Sequence, residues 1–419
     1  MGLRVVVAVA AVAASLAVAA PAAAQAPCDP TQTPPEFLGE VPELSDVVTN
    51  PGGENGEVTT GQAYQYMDAV DRASDRVITG ALDQRSIQGR ELRWAIVGDP
   101  DNVDRQSLSK IKGAAQKLRD PRTTSGEARE IADRYPAILW AASNVHGGEE
   151  SGTEASLRVL YELADRDDCA AEQILDNAIV VLLPIQNPDG RELDTRRSAY
   201  GFDMNRDWFA RTHPETDAKI EMLREFPSPL FIDAHEFGGE NDYFFPPNAD
   251  PVYHEITDES IDWINNVYGA SMAAEFERQG IPYFNRDIYD LFYMGYGDTV
   301  PATGFISAGM TFEKSSDDPI GQRAYQQYLT QWVSISQGAI RKETILRQWA
   351  AAWREAENQG EAGRLEPNEL INPGEIVTEV PDIKVRQYFI TERRDSKQDE
   401  VKAMIRRLQR MDVDVYKLR

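Results

Sequence analysis

Apolar positions along this chain follow two rhythms. Unbroken apolar runs at residues 135–143, 177–185, 229–235 and 303–313 have the length and β-branched or aromatic content of strands buried on both faces. Between them, apolar residues recur three and four positions apart, as on one face of a helix. Leu157, Leu160, Tyr161 and Ala164 do so over 151–164, with Ser151 or Thr153 as a cap. Tyr64, Met67, Val70 and Ala73 predict a helix over 63–77, and residues 86–97 read as a hairpin arm and strand. Tyr325, Leu329, Trp332 and Val333 form the packing stripe of one long helix over 320–358. The polar, helical stretch 104–133 has the charge pattern of a solvated helix or insertion. Strands alternating with helices predict an α/β fold, a mostly parallel mixed sheet with helices on both faces.

The ends differ from this core. Residues 1–24 combine Arg4, a Val/Ala/Leu run and the small-residue ending Pro21-Ala22-Ala23-Ala24. That is the pattern of a secretory signal peptide, cleaved after Ala24 or Ala26, with an uncleaved anchor as the rival. Residues 25–60, rich in Pro, Thr, Glu and Gly, read as a flexible lead-in. The main domain is expected over 61–345, followed by a helix end and Pro-containing linker over 346–381. The tail, 382–419, reads as a strand at 384–391, a helix at 396–410 and a strand at 413–418. One β-α-β unit is too small to bury a core. It must dock on the main domain, pair with another chain, or belong to a larger domain.

Charge narrows the partners. The formal net charge of −26 over 419 residues argues against nucleic acid and against anionic membrane surfaces. No segment after the N-terminal run is long and apolar enough to span a bilayer, so no stable membrane association is expected once the signal is cleaved. The two cysteines, Cys28 and Cys169, suit one disulfide in an exported protein, or remain two free thiols.

Candidate chemistry sits where strands end. His146-Gly147-Gly148-Glu149 lies on the turn between the strand 135–143 and the helix 151–164, the place where α/β sheets bind ligands. His235 closes the strand 229–235 at the same sheet edge. A lone strand histidine is usually a core residue, but two His and one Glu leave a fourth position open, as in a catalytic zinc site. Glu150 and Glu236 are rival carboxylates. Glu236 is disfavoured because its side chain should leave the strand on the side opposite His235.

Taken together, His146-x-x-Glu149, Asn187-Pro188-Asp189-Gly190, Gly201-Phe202-Asp203-Met204-Asn205-Arg206, His235 and Thr311-Phe312-Glu313 stand in the order found in the zinc carboxypeptidases, the M14 metallopeptidases. The chain resembles that family over residues 61–345. The resemblance implies one zinc ion per chain, held by His146, Glu149 and His235. It implies Glu313 as general base, the bland alternative being a salt bridge to Lys314. It makes Asn205 and Arg206 the clamp for a substrate carboxylate, and Asp203 the group that orients the His146 ring. Arg196 becomes the guanidinium that holds the oxyanion. Arg197 is its rival, disfavoured because family members tend to place ten residues between that arginine and the clamp. A tyrosine that covers the substrate would be Tyr289, Tyr293 or Tyr296, with Tyr293 favoured. His213 and His254 carry no motif role and are expected at the surface.

Departures from the digestive members are a lead-in too short for a folded pro-segment, Gly147-Gly148 where bulkier residues are common, and Glu236-Phe237-Gly238-Gly239 after the second histidine. The last of these looks like a bacterial, secreted branch. The resemblance implies a secreted peptidase acting on the C-terminus of a peptide or protein. The alternatives are a zinc amidohydrolase, deacylase or cell-wall peptide amidase of the same fold, and a metal-free peptide-binding module.

Overall fold

The computed structural model describes residues 28–418 apart from 240, 241, 250, 251, 254, 288–290, 292–294, 296, 298, 364–368, 373, 374, 380–386 and 391–397. Seven strands form the main sheet: β1 (Val77–Ala81), β2 (Arg93–Val97), β3 (Ala137–Ser143), β4 (Ala178–Leu183), β5 (Leu230–Phe237), β6 (Tyr243–Phe244) and β7 (Ala308–Ser315), in the spatial order β1-β2-β4-β3-β5-β7-β6. The four apolar runs become the parallel centre, β4-β3-β5-β7. Strands β1, β2 and β6 add antiparallel edges. Every residue of β3, β4 and β7 is buried, because helices cover both faces. Ile138 faces the layer of Ala115, Leu118, Ile131, Leu346 and Trp349. Its neighbour Leu139, pointing the other way, packs on Gly338 of the helix Ile320–Ile340.

Several boundaries differ from the sequence reading. The first long helix spans Thr60–Ala73, started by a capping box in which Thr59 and Gln62 satisfy each other's backbone N–H. Residues from Val77 leave it to pair with β2, and cross-strand pairing outweighs a helical spacing that runs on by chance. The expected strand 303–313 begins as helix, Thr299–Phe305, and becomes β7 after Ile306 turns the chain at φ 50°. The single helix 320–358 is two, Ile320–Ile340 and Lys342–Ala362, broken at Arg341. No Gly or Pro marks that break, and it lets the second helix pack against Ser125–Arg134, in the layer on the other face of the sheet. The stretch 104–133 is not a solvated insertion. It forms helices Arg105–Arg119 and Ser125–Arg134, whose Leu108, Ile111, Leu118, Ala128 and Ala132 join the core.

The lead-in, expected to be flexible, is tied down at several points among its described residues. A Cys28–Cys169 disulfide closes its start. The Trp332 Nε1–H donates to the Pro30 carbonyl at 2.8 Å. The Asp165 carboxylate, ending the helix Ser151–Asp165, accepts the backbone N–H groups of Gly39, Glu40 and Val41 at 3.0, 2.9 and 3.0 Å. Val41, Val48 and Val58 are buried.

The tail also departs from expectation. Strands β8 (Glu369–Asn372) and β9 (Glu375–Glu379) pair antiparallel. The helix Gln398–Arg410 forms, but 387–390 and 413–418 are not strands, and the rest of the expected strand 384–391 lies outside the described residues. The tail docks on the main domain. Arg410 pairs with Asp217 at 2.8 Å, and Asp412 with Arg119 at 2.9 Å and with Arg224. Among the described residues no helix is long and apolar enough to cross a membrane.

Replacing Asp165 with Ala strands three backbone donors of the lead-in. One of these donors, the Val41 N–H, is buried and the other two are part-exposed. A charged acceptor for such groups contributes enough that we expect a loss of about 2 kcal/mol, read as a lower urea midpoint with an unchanged m-value. A midpoint shift within error would show that the lead-in is not held there.

Candidate metal centre

The turn after β3 is built by Asn144, which adopts φ 57°, a left-handed conformation that Asn tolerates better than most residues. Its Nδ2 lies 2.9, 3.0 and 2.9 Å from the carbonyls of His146, Gly147 and Glu149, so one side chain gathers the turn. The Asn187-Pro188-Asp189-Gly190 stretch clips it from outside. The Asn187 N–H donates to the Asn144 carbonyl at 3.1 Å and its Nδ2 to Val145 at 3.2 Å. The two backbones approach so closely that a Cβ on Gly147 would fall 2.0 Å from the Gly190 carbonyl carbon, which is why bulkier residues are absent there. Asp189, fully buried, anchors the clip to Ser86 at 2.7 Å and to the Gln88 N–H at 2.9 Å.

This turn and β5 bring His146, Glu149 and His235 into one buried cluster. The Glu149 carboxylate bridges the rings, Oε1 2.7 Å from His146 Nδ1 and Oε2 2.9 Å from His235 Nδ1. The two Nδ1 atoms are 3.1 Å apart. Each ring presents its other nitrogen to a carboxylate: His146 Nε2 lies 3.1 Å from Asp203 Oδ1, and His235 Nε2 lies 3.1 Å from Asp233 Oδ2. The second pair is set by distance and charge, since the N–H direction is off the line to Asp233. The Asp203 carboxylate on the outer nitrogen of His146, with Arg196 donating to the inner one, favours a lone pair on that ring's Nδ1. Two imidazole lone pairs and a carboxylate converging out of water are a donor set for a cation of zinc's preference, and the residues fit the group.

Electrostatics agree. Burial alone would raise the Glu149 carboxyl, but the His235 and His146 rings hold it down at about 2. Burial opposes a charged His235, yet Asp233 and Glu149 push its pKa well above the ordinary value. The rival carboxylates lie elsewhere. Glu150, which burial and then Glu236 and Glu57 raise to about 8, sits 3.7 Å from Arg323. Glu236 leaves β5 on the other side, accepts the Ser151 N–H at 2.6 Å and pairs with Arg323.

Around the cluster, Arg196 and not Arg197 reaches the site. Its Nη1 lies 3.1 Å from His146 Nδ1 and 3.3 Å from Glu149, while Nε and Nη2 hold Asp203 Oδ2 at 3.1 and 3.0 Å. Arg197 instead donates to the Gly201 carbonyl. Asp203 thus serves His146 and Arg196 together; burial raises its carboxyl, but these charges keep it far below its ordinary value. Asn205 is buried with Nδ2 3.4 Å from His235 Nε2, and Arg206 beside it is exposed. Glu313 on β7 stands in register with His235 and shares its sheet face, whereas Lys314 points away and pairs with Asp318. Tyr289, Tyr293, Tyr296 and His254 lie outside the described residues.

His213 is not a surface residue. It is buried, with Nε2 3.1 Å from Ser198 Oγ and Nδ1 3.1 Å from Asp207 Oδ2, and so braces the loop bearing Arg196 against the turn bearing Asn205 and Arg206. Sequence reasoning also passed over Asp233. Its signal was available: a residue two before a strand histidine shares that histidine's face.

Residues 63–273 match the family described as zinc carboxypeptidase, Peptidase_M14. The chain belongs to this family. Among curated relatives, "Probable carboxypeptidase 2" of Arthroderma benhamiae is 32% identical over 131 residues, 31% of this chain and 24% of that protein. "Carboxypeptidase SOL1" of Arabidopsis thaliana is 36% identical over 23% of each. The chain therefore spans about a quarter of the length of the curated relatives it matches. A metallo-carboxypeptidase from Burkholderia cenocepacia shares the fold, at 16% identity and a TM-score of 0.50, over 68% of this chain and 69% of that one.

Because a proton and a metal ion compete for the same inner nitrogens, and His235 holds its proton well above the ordinary range, zinc binding should release protons. Zinc affinity is then expected to rise with pH and to fall on acidification. Titration calorimetry in buffers of different ionisation enthalpy measures the release; a heat independent of buffer would contradict it.

Proposed function

We propose that this chain is an exported zinc peptidase that removes C-terminal residues from peptides. The observation that carries the reading is the buried His146–Glu149–His235 donor set, with Arg196 at its edge and Asn205 and Arg206 beside it. The catalytic domain in this reading is 61–345, and the tail 382–419 has no chemical part. The N-terminal pattern of residues 1–24 supports export, as does the Cys28–Cys169 disulfide, a bond of oxidising compartments.

A zinc ion bound there supplies a lowered water pKa and a polarised carbonyl. The protein's residues do the rest. Arg206 and Asn205 bind the substrate's terminal carboxylate, the guanidinium gripping it through two parallel hydrogen bonds. This places the last peptide bond at the cluster. Glu313 takes a proton from the attacking water and passes it to the leaving amine. Arg196 donates to the carbonyl oxygen as that oxygen gains negative charge. Asp203 holds both the His146 ring and Arg196 in place, so the ligand and the oxyanion donor are oriented together. Tyr293 is the proposed cover for the bound residue.

The test is hydrolysis of a peptide mixture by the chain lacking residues 1–24, read by mass spectrometry. Stepwise C-terminal loss that stops with a chelator and returns with zinc is expected; intact peptides beside a fully zinc-loaded protein would overturn the assignment. Glu313→Gln should keep its zinc and lose ~10²–10⁴-fold in kcat. Near-normal turnover would remove Glu313 from the chemistry. Arg206→Ala should raise KM for free-carboxyl peptides by about 10–100-fold, the scale of a lost charge-assisted pair. Equal kinetics on free and amidated peptides in the parent protein would rule out a carboxylate clamp.

A further inference from the structure

One buried cation beneath the cluster has no part in the chemistry above. Lys219, on the helix Pro214–Glu225, is 2% exposed. Its Nζ donates to Gln186 Oε1 at 2.8 Å and lies 3.8 Å from the centre of the Trp208 ring. The Gln186 Nε2 donates to Asp233 Oδ1 at 2.8 Å, and Asp233 Oδ2 stands 3.1 Å from His235 Nε2. A second arm leaves the same lysine: Trp208 Nε1 donates to Asn205 Oδ1 at 3.3 Å, and Asn205 Nδ2 is 3.4 Å from His235 Nε2. Gln186, Asp233, Trp208 and Asn205 are all buried, so water does not compete for these bonds.

The direction of every bond follows from one fact, that an ammonium only donates. Lys219 makes Gln186 turn its oxygen toward Nζ, which leaves the amide nitrogen for Asp233. The indole N–H also only donates, so Asn205 turns its oxygen to Trp208 and shows its amide nitrogen to His235. That nitrogen donates toward His235 Nε2. Asp233 Oδ2, 3.1 Å from His235 Nε2, stands beside the ring as a charge, and the Gln186 amide holds that carboxylate in place. Asp233 and Asp207 offset the buried charge of Lys219; burial lowers its pKa to about 8, which keeps it mainly an ammonium at neutral pH.

We infer that Lys219 is a positioning residue for the metal: acting through Gln186, it holds the Asp233 carboxylate behind the His235 ring that is offered to the ion. The inference rests on the zinc reading of the cluster. It places a determinant of metal affinity on a helix that touches neither metal nor substrate.

The test is zinc affinity, measured by competition with a chromophoric chelator, for the parent protein, Lys219→Met, Gln186→Leu and the double variant. Groups that orient metal ligands typically control affinity by ~10–100-fold. We expect each single variant to bind zinc ~10-fold more weakly and to release it faster, while kcat/KM at saturating zinc changes much less. The double variant should lose no more than either single one, because both cut the same chain. Parent-like zinc affinity in Lys219→Met, or losses that multiply in the double variant, would overturn the inference. Should Lys219→Met fail to fold, Gln186→Leu decides by the same affinity and kcat/KM comparison. A parent protein that binds no zinc sinks the zinc reading itself and this inference with it. A parent that binds one zinc, beside variants that bind equally well, sinks the inference alone.

Discussion

Two imidazole nitrogens 3.1 Å apart, bridged by a carboxylate and buried from solvent, form an arrangement that protons or a metal ion must hold together. Buried acceptors left facing one another would cost several kcal/mol. The positive charge that prevents this is balanced by negative charge behind the rings. Asp203 and Asp233 back His146 and His235, and each carboxylate is in turn held by cationic or amide donors, Arg196 for one and Gln186 for the other. The site is therefore a set of shells, with cation, ligand, carboxylate and donor following in order from the centre outward.

The scaffold exists to keep that order. Three adjacent parallel strands deliver the groups: β3 runs into the His146 turn, β5 carries His235, and β7 sets Glu313 in register beside it. Parallel strands end on the same side, so residues far apart in the chain converge at one edge. The His146 turn is not left to its own propensity. Asn144 gathers its carbonyls, and the Asn187–Gly190 clip presses against it at a distance only Gly147 permits. His213 plays a similar part further out, joining two loops that each carry an arginine.

How much of this was legible in the sequence depended on range. The four core strands could be read because a strand buried on both faces has to be apolar throughout, and the helix after the metal turn because its buried face repeats locally. The ligand candidates could be placed at strand ends from residue type and spacing, and their reading as one set came from the resemblance to the zinc carboxypeptidases. The break at Arg341 was not, since no residue there disfavours helix; the second helix turns because the other face of the sheet needs covering. The expected strand at 413–418 failed for the complementary reason, as an alternating pattern makes a strand only where a partner edge exists.

The sequence by itself determined the sheet centre, the metal-ligand candidates and the chemistry they suit, because these depend on residue type and short spacing. Tertiary structure alone decided that Arg196 rather than Arg197 reaches the cluster, that Glu149 rather than Glu150 bridges the rings, and that His213 is buried. In the first two, neighbours in sequence of identical chemistry point in different directions. Tertiary structure alone also drew Lys219, Gln186 and Asp233 into one chain behind His235. The reason is physical: side-chain direction and the alignment of donors with acceptors are set by the packing of distant elements, and no local pattern carries them.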